Sequence, residues 1–289
     1  MRATSALIAV ALFGLATSAR ADPVDTVVHG ATLSGSFTTA PVGDAILGEL
    51  GGAWGGLRTI DRRWVLQWEM RLAIEAGWLG SEHPFLFLVG PHASSMIEAG
   101  HRFRSERPFS PYLGVRLAGD ARSLASPGAP SQEELNAVDG VGGNVAHGAL
   151  RVVAGSSYLD EAHALIIAMF VQEEVDAPEI HTPGLAFTDI GLEARYDATR
   201  SLTLSLEGRC GLTFDRHDAL LGTTDSTMRC GFDAAFRKIF GNGMWLGATI
   251  SFRRDTDHVG YANGASYETG DAPLFVGALE LGVPLWRTR

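Results

Sequence analysis

Residues 64–78 read WVLQWEMRLAIEAGW and hold a single periodicity from end to end. Trp64, Leu66, Trp68, Met70, Leu72, Ile74, Ala76 and Trp78 occupy the even positions, while Gln67, Glu69, Arg71 and Glu75 stand among the odd ones. Successive side chains of a β-strand point to opposite faces, so this run is a strand with one apolar and one charged face. Its length is the constraint. Strands of soluble sandwiches run about 5–6 residues, whereas a strand that crosses a bilayer at a tilt needs about 9–11. This run overshoots even that.

The pattern recurs through the chain and defines about twelve segments, near 26–37, 44–58, 63–78, 95–105, 110–122, 148–157, 162–173, 185–196, 201–215, 226–238, 243–254 and 272–286. In 185–196, for example, Ile190, Leu192, Ala194 and Tyr196 alternate with Asp189, Glu193 and Arg195. The connections alternate as well. Short polar turns (TIDR 59–62, SERPFS 105–110, YLDE 158–161, DATR 197–200, FGNG 239–242) separate longer joins at 79–94, 123–147, 174–184, 216–225 and 255–271. Tight turns at one end and long loops at the other are the signature of an antiparallel up-and-down barrel. FLFLVG at 85–90 is expected either in an external loop or in a strand extension above the membrane.

The N-terminus, MRATSALIAVALFGLATSARADPVD, places Arg2 before a short apolar core at Ala6–Ala16 and an A-x-A site at Ala19-Arg20-Ala21. That order predicts a cleaved secretory signal at 1–21 and a barrel domain at 22–289. No later run approaches the roughly 18 apolar residues of a membrane helix; the longest is ALIIAMFV at 164–171. The net charge of −10 argues against nucleic acid as a partner. The 35 glycines supply the bends and close approaches that a curved, closed sheet needs.

Segment length, face alternation and loop alternation together resemble bacterial outer-membrane β-barrel proteins over nearly all of 26–286. The last strand, LFVGALELGVPLW, resembles the C-terminal assembly signal of that class, although Arg287-Thr288-Arg289 continue past Trp286. The resemblance implies an all-β transmembrane barrel of about twelve strands in the outer membrane of a Gram-negative bacterium, in contact with membrane lipid. It implies no activity and no oligomeric state.

If the apolar face meets lipid, the lumen holds Glu49, Glu69, Arg71, Glu75, Glu98, Arg102, Arg116, Asp120, Glu193, Arg195, Glu207, Arg209, Arg229, Asp233, Arg237 and Arg253. Interleaved signs fit a lattice of ion pairs filling the barrel, since buried charges need partners; a narrow, weakly selective pore is the other reading. In HALIIAMFV both faces are apolar. That suggests packing against Leu135 and Val138 of a short loop helix, capped at Ser131 and Glu134, or a passage for a small solute or hydrophobic ligand. The long loop at 123–147 either folds inward to narrow the channel or stays at the surface.

Outer-membrane lipid hydrolases place a serine nucleophile and a histidine base two residues apart on a strand, on one face. His92 and Ser94 have that spacing, but Ser95 follows where asparagine is usual and no orienting third group is evident. A lipid-hydrolysing or acyl-modifying enzyme is therefore the alternative to a channel or structural barrel, and a surface-exposed binding protein is a third. His83, His92, His147, His181, His217 and His258 are expected in external loops, without metal-ligand spacing; no metal or cofactor is expected. Cys210 and Cys230 lie symmetrically about residue 220 of one hairpin. They are expected opposite each other on the apolar face, where either a disulfide or two small apolar thiols would fit.

Overall fold

The computed structural model describes residues 25–40, 43–80, 86–125, 143–160, 162–177, 185–198, 202–213, 216–218, 223–261, 266–270 and 273–284. The signal-peptide segment, His83, His181, the proposed loop helix with Ser131, Glu134, Leu135 and Val138, and Trp286 lie outside them.

Among the described residues fourteen strands form one antiparallel sheet. They are β1 (Asp25–Ala40), β2 (Gly43–Ile60), β3 (Trp64–Gly80), β4 (Leu86–Arg102), β5 (Phe109–Leu124), β6 (Gly143–Leu159), β7 (His163–Ala177), β8 (Leu185–Ala198), β9 (Leu202–Thr213), β10 (Arg216–Asp218), β11 (Thr223–Ile239), β12 (Trp245–Tyr261), β13 (Ser266–Gly270) and β14 (Leu274–Pro284). The short β10 and β13 prolong the β9–β11 and β12–β14 hairpins at their long-loop ends. The other 12 strands close into a barrel through β1 and β14. No helix occurs among the described residues.

The ladders fix the barrel's geometry. From Ile60 on β2, directly paired residues run through Trp64, His101, Leu113, Ala154, Met169, Leu192, Gly208, Phe232, Phe252, Phe275 and Thr39. The path returns to β2 at Asp44, sixteen residues from its start. With strands about 4.7 Å apart and a rise of about 3.3 Å per residue, twelve strands at this stagger tilt by about 43° and enclose a barrel of about 12 Å radius.

Apolar side chains cover the outside: Leu33 (59% exposed), Leu50 (65%), Leu72 (68%), Met169 (61%), Leu192 (62%) and Leu279 (63%). A soluble protein would bury such a continuous band; a transmembrane barrel turns it to lipid. Aromatic residues mark both rims of this surface. Trp64, Phe103 and Phe109 are exposed at the short-turn end, and Trp78 packs edge-on against Phe87 at the other.

The strands reach further than the alternation alone suggests. FLFLVG becomes the start of β4, in which Leu86 to Gly90 extend the strand toward the long-loop end. His92 and His147, expected in external loops, lie within β4 and β6; His217 and His258 lie in β10 and β12. Pro91 and the apolar runs beside it break the alternation, and the ladder partners, invisible in one strand alone, carry β4 onward. At the β2–β3 turn Asp61 (φ 52°) and Arg62 (φ 54°) supply the left-handed pair that tight hairpins require. Cys210 and Cys230 are direct partners on neighbouring strands, 4.1 Å apart at Cα, and are joined by a disulfide on the outward face.

Candidate functional site in the barrel interior

Like charges stand side by side on the inner walls. Arg116 of β5 is the direct neighbour of Arg151 of β6, and Glu193 of β8 is the direct neighbour of Glu207 of β9, which in turn faces Asp233 of β11. Like charges directly opposite in a sheet repel, so each row needs counter-charges from elsewhere. They come from the adjacent strand or from strands two or three positions along the wall. Arg116 donates to Glu193 (3.0 Å) as well as to its neighbour Glu98 (2.7 Å), and Arg151 donates to Glu193 (2.8 Å) and Glu207 (2.6 and 2.7 Å). Tyr112 donates to the other oxygen of Glu98 (2.5 Å), and Gln172 accepts from Arg151 (2.7 Å).

A second set lies toward the long-loop end. Glu174, 2% exposed, binds Arg229 and Arg209 (3.0 Å) and accepts from Gln172 (2.7 Å). Asp189 completes this set with Arg229 at 3.3 Å. On the other wall, His92 sits between Glu49 (Nδ1, 3.1 Å) and Asp120 (Nε2, 2.7 Å), and Arg71 joins Glu49 (3.2 Å) to Glu280. Arg122 pairs with Glu75 at 2.9 Å. Arg237 reaches Glu69 at 3.1 Å although β11 and β3 are five strands apart around the ring. In a round barrel of the radius above, those strands would stand further apart than the two side chains can span, so the cross-section is flattened.

Toward the short turns the side of the interior around β5, β6 and β7 is apolar, at the level where Arg237 meets Glu69. Leu57, Val65, Tyr112, Val153, Leu159, Ala164, Ile166, Ala168 and Phe170 form one buried cluster, with Leu57 and Val153 at 0% exposure. Its members come from β2, β3, β5, β6 and β7, so it spans the flattened lumen. This accounts for the doubly apolar HALIIAMFV strand. Its inner face packs on the barrel's own walls. Trp245 (1% exposed) fills the other side, packed with Ala53 and Ile239 and donating to Glu280 (2.6 Å). A Cβ on Gly282 would lie 1.8 Å from the Trp245 ring, and one on Gly30 2.9 Å away, so both glycines make its seat. Arg151 lies over the Phe170 ring at 3.8 Å and joins the two zones.

Most sequence-proposed lumen residues are therefore brought together in paired form. Arg195 is the exception in kind, binding Asp197 on its own strand (2.7 Å). Asp233 and Arg253 share the inward face in a half-buried setting. Arg102 serves a different end: 1% exposed, it donates to Ser157 and to the carbonyls of Arg62, Arg107 and Pro108 at the short turns. Outside the lumen set read from the sequence stand Arg122, Arg151, Glu174, Glu280 and the floor around Tyr112 and Trp245, and Asp189, which the sequence places only on the polar face of its strand. Arg122 and Asp189 share strand parity with residues already proposed, and that signal was sufficient to find them.

His92 and Ser94 lie two residues apart on β4, and Ser94 is the direct partner of Asp120 on β5. Both imidazole nitrogens of His92 lie against carboxylates, Nδ1 on Glu49 and Nε2 on Asp120. Among the described residues no cluster of three or more His, Cys, Asp or Glu is arranged to hold a metal. A cavity of about 260 Å³ opens beside the charged rows, lined by Met96, Arg116, His147, Arg151, Glu207 and Arg209 among others. Outside the membrane-spanning segments, Asp160 accepts from Tyr158 Oη (2.7 Å) and from the backbone N–H groups of Ala162 and His163, which hold its carboxyl below the usual range.

A closed antiparallel barrel with an apolar exterior and a charged interior defines the class: this chain has the architecture of bacterial outer-membrane β-barrel proteins. No protein-family model and no curated protein matches it. Among solved structures it is similar to an outer membrane channel from Pseudomonas putida F1, at 14% identity and a TM-score of 0.47, covering 92% of this chain and 97% of that one. It is also similar to OmpT, an outer membrane protein of Vibrio cholerae, at 8% identity and a TM-score of 0.36, covering 89% and 99%. A third is OccK5 (OpdH) of Pseudomonas aeruginosa, at 9% identity and a TM-score of 0.23, covering 92% and 100%.

Proposed function

We propose that this protein is an outer-membrane barrel of a Gram-negative bacterium, exported through its N-terminal signal, whose lumen is shut to free diffusion by its own side chains. On this reading it is a structural barrel, and it becomes a narrow channel only if the crossing ion pairs open. The observation that carries the reading is the Arg237–Glu69 contact at 3.1 Å, which joins walls five strands apart across the lumen. An open pore would leave those two walls separated by water. The buried floor beneath supports the same conclusion, because Leu57, Val153 and Trp245 are no more than 1% exposed. A small solute or hydrophobic ligand would have to displace this packing to pass.

The test is conductance of the refolded full chain in a planar bilayer. The expected trace is silent at moderate voltage, with the protein's insertion verified by protease protection. Stable, ohmic steps from the wild-type protein would overturn the reading in favour of a standing pore. Glu69→Gln, which unties Arg237 from the far wall, is expected to produce brief openings if the ion pairs are what shuts the lumen.

A further inference from the structure

The chain is acidic overall, at −10, yet two adjacent short turns are basic. Residues 58–63 and 103–108 carry Arg58, Arg62, Arg63, Arg104 and Arg107 against only Asp61 and Glu106. Arg62, Arg63, Arg104 and Arg107 are all exposed. The other short turns do not share this: YLDE carries Asp160 and Glu161, DATR carries Asp197 with Arg200, and FGNG carries no charge.

The two turns are built as one platform. Arg102 is buried between them and donates to the carbonyl of Arg62 on one side (2.8 Å) and to those of Arg107 (3.1 Å) and Pro108 (2.8 Å) on the other. The Arg102 amide adds a bond to the Arg63 carbonyl (2.7 Å). Arg63 Nε lies 3.4 Å from Ser105 Oγ, a further contact between the turns. Arg102 is held by carbonyls and a hydroxyl rather than by a carboxylate, so its charge adds to the net positive charge of the two turns.

Directly above the arginines runs an arc of aromatic side chains on the lipid-facing surface. His101 packs edge-on against Trp64 (4.7 Å) and Phe103 (4.9 Å), and Phe109 packs on Tyr158 (4.8 Å). Trp64 (51%), Phe103 (59%) and Phe109 (67%) are exposed. Such aromatics sit at the headgroup level of a membrane barrel, so the arginines one turn further out stand level with lipid phosphates. Guanidinium groups match phosphate oxygens in charge and fork geometry.

We propose that the Arg62–Arg63 and Arg104–Arg107 turns form a recognition surface for the phosphate of an anionic phospholipid in the leaflet at the short-turn face. The site rests on the membrane placement of the barrel and is independent of whether its lumen is shut.

The experiment uses the full chain in proteoliposomes of phosphatidylcholine with trace spin-labelled phosphatidylglycerol or spin-labelled phosphatidylcholine. The relative association of the two labels is read by electron paramagnetic resonance. A symmetric bilayer makes the readout independent of orientation. Wild-type protein is expected to prefer the anionic lipid by about fivefold, the effect of one basic side chain near an anionic surface, or more. Arg62→Gln/Arg63→Gln/Arg104→Gln/Arg107→Gln is expected to bring the ratio close to one. If that variant does not refold, as judged by heat-modifiable migration, the two double variants are read separately, and each is expected to lose part of the preference. Equal association of both lipids with the wild type, or an unchanged ratio in the variants, would overturn the proposal. So would abolition of the preference by millimolar inorganic phosphate at constant ionic strength, which would make the site one for a soluble anion.

Discussion

On β6, Val153 and Arg151 are consecutive residues of one inner face; on β7, Phe170 and Gln172 are. The boundary between two kinds of interior falls between them. Toward the short turns the walls meet through hydrocarbon, in a cluster excluded from water. Toward the long loops they meet through carboxylates and guanidinium groups. Both zones fill the same flattened tube, but they tolerate change differently. Hydrocarbon loses stability in proportion to the atoms removed. A charged lattice fails abruptly when one member is lost, because desolvated partners remain.

The largest expected effect follows from Glu174. It serves Arg229, Arg209 and Gln172 at once and is itself buried. Glu174→Leu is expected to destabilise the barrel by about 5 kcal/mol, the upper end of the cost of stranding a buried partner. Urea unfolding in a lipid or detergent environment, followed by heat-modifiable migration, measures it. A loss under about 1 kcal/mol would mean that water already solvates this layer, and the contrast with the floor would fall.

Phe170→Ala probes the floor. It removes the ring that bridges Ile166, Val153 and the overlying Arg151, and an aromatic truncation of this kind costs about 3 kcal/mol or more. The same unfolding assay reads it. Restoring volume with Phe170→Leu is expected to recover most of that loss, whereas Glu174→Gln, equally conservative in size, is expected to recover little. Equal recovery in both zones would break the comparison.

The comparison also explains what was legible in the sequence. Strand length and period-two alternation carry the fold, because lipid outside and charge inside impose opposite chemistry on adjacent residues. Where the inside is itself apolar, that contrast vanishes. HALIIAMFV therefore signalled an unusual lumen without revealing its contents, and Leu57, Val65 and Tyr112 stood in sequence as isolated apolar residues among alternating strands. Arg151 was hidden by its apolar neighbours Val152 and Val153. The Cys210–Cys230 pairing was readable from hairpin symmetry alone, since register is local. The partners of Arg237 were not readable, because a contact between β3 and β11 depends on how the closed ring is flattened.

The smallest expected effect tests the charged zone most sharply. Arg122 and Glu75 form a discrete pair at 2.9 Å, with Glu75 3% exposed and directly opposite Glu49 in the ladder. Arg122→Met alone leaves two neighbouring buried carboxylates, Glu75 now without its cation, and is expected to cost about 3 kcal/mol. Arg122→Met/Glu75→Leu removes both charges, fills similar volume and relieves the repulsion on Glu49. Its expected net change is within about 1 kcal/mol of zero, since apolar replacement of a buried pair is often neutral. Unfolding midpoints of the two variants and wild type supply the cycle. A double variant as unstable as the single one would show that this layer needs its charges for more than mutual neutralisation, and that the two zones differ in role as well as in chemistry.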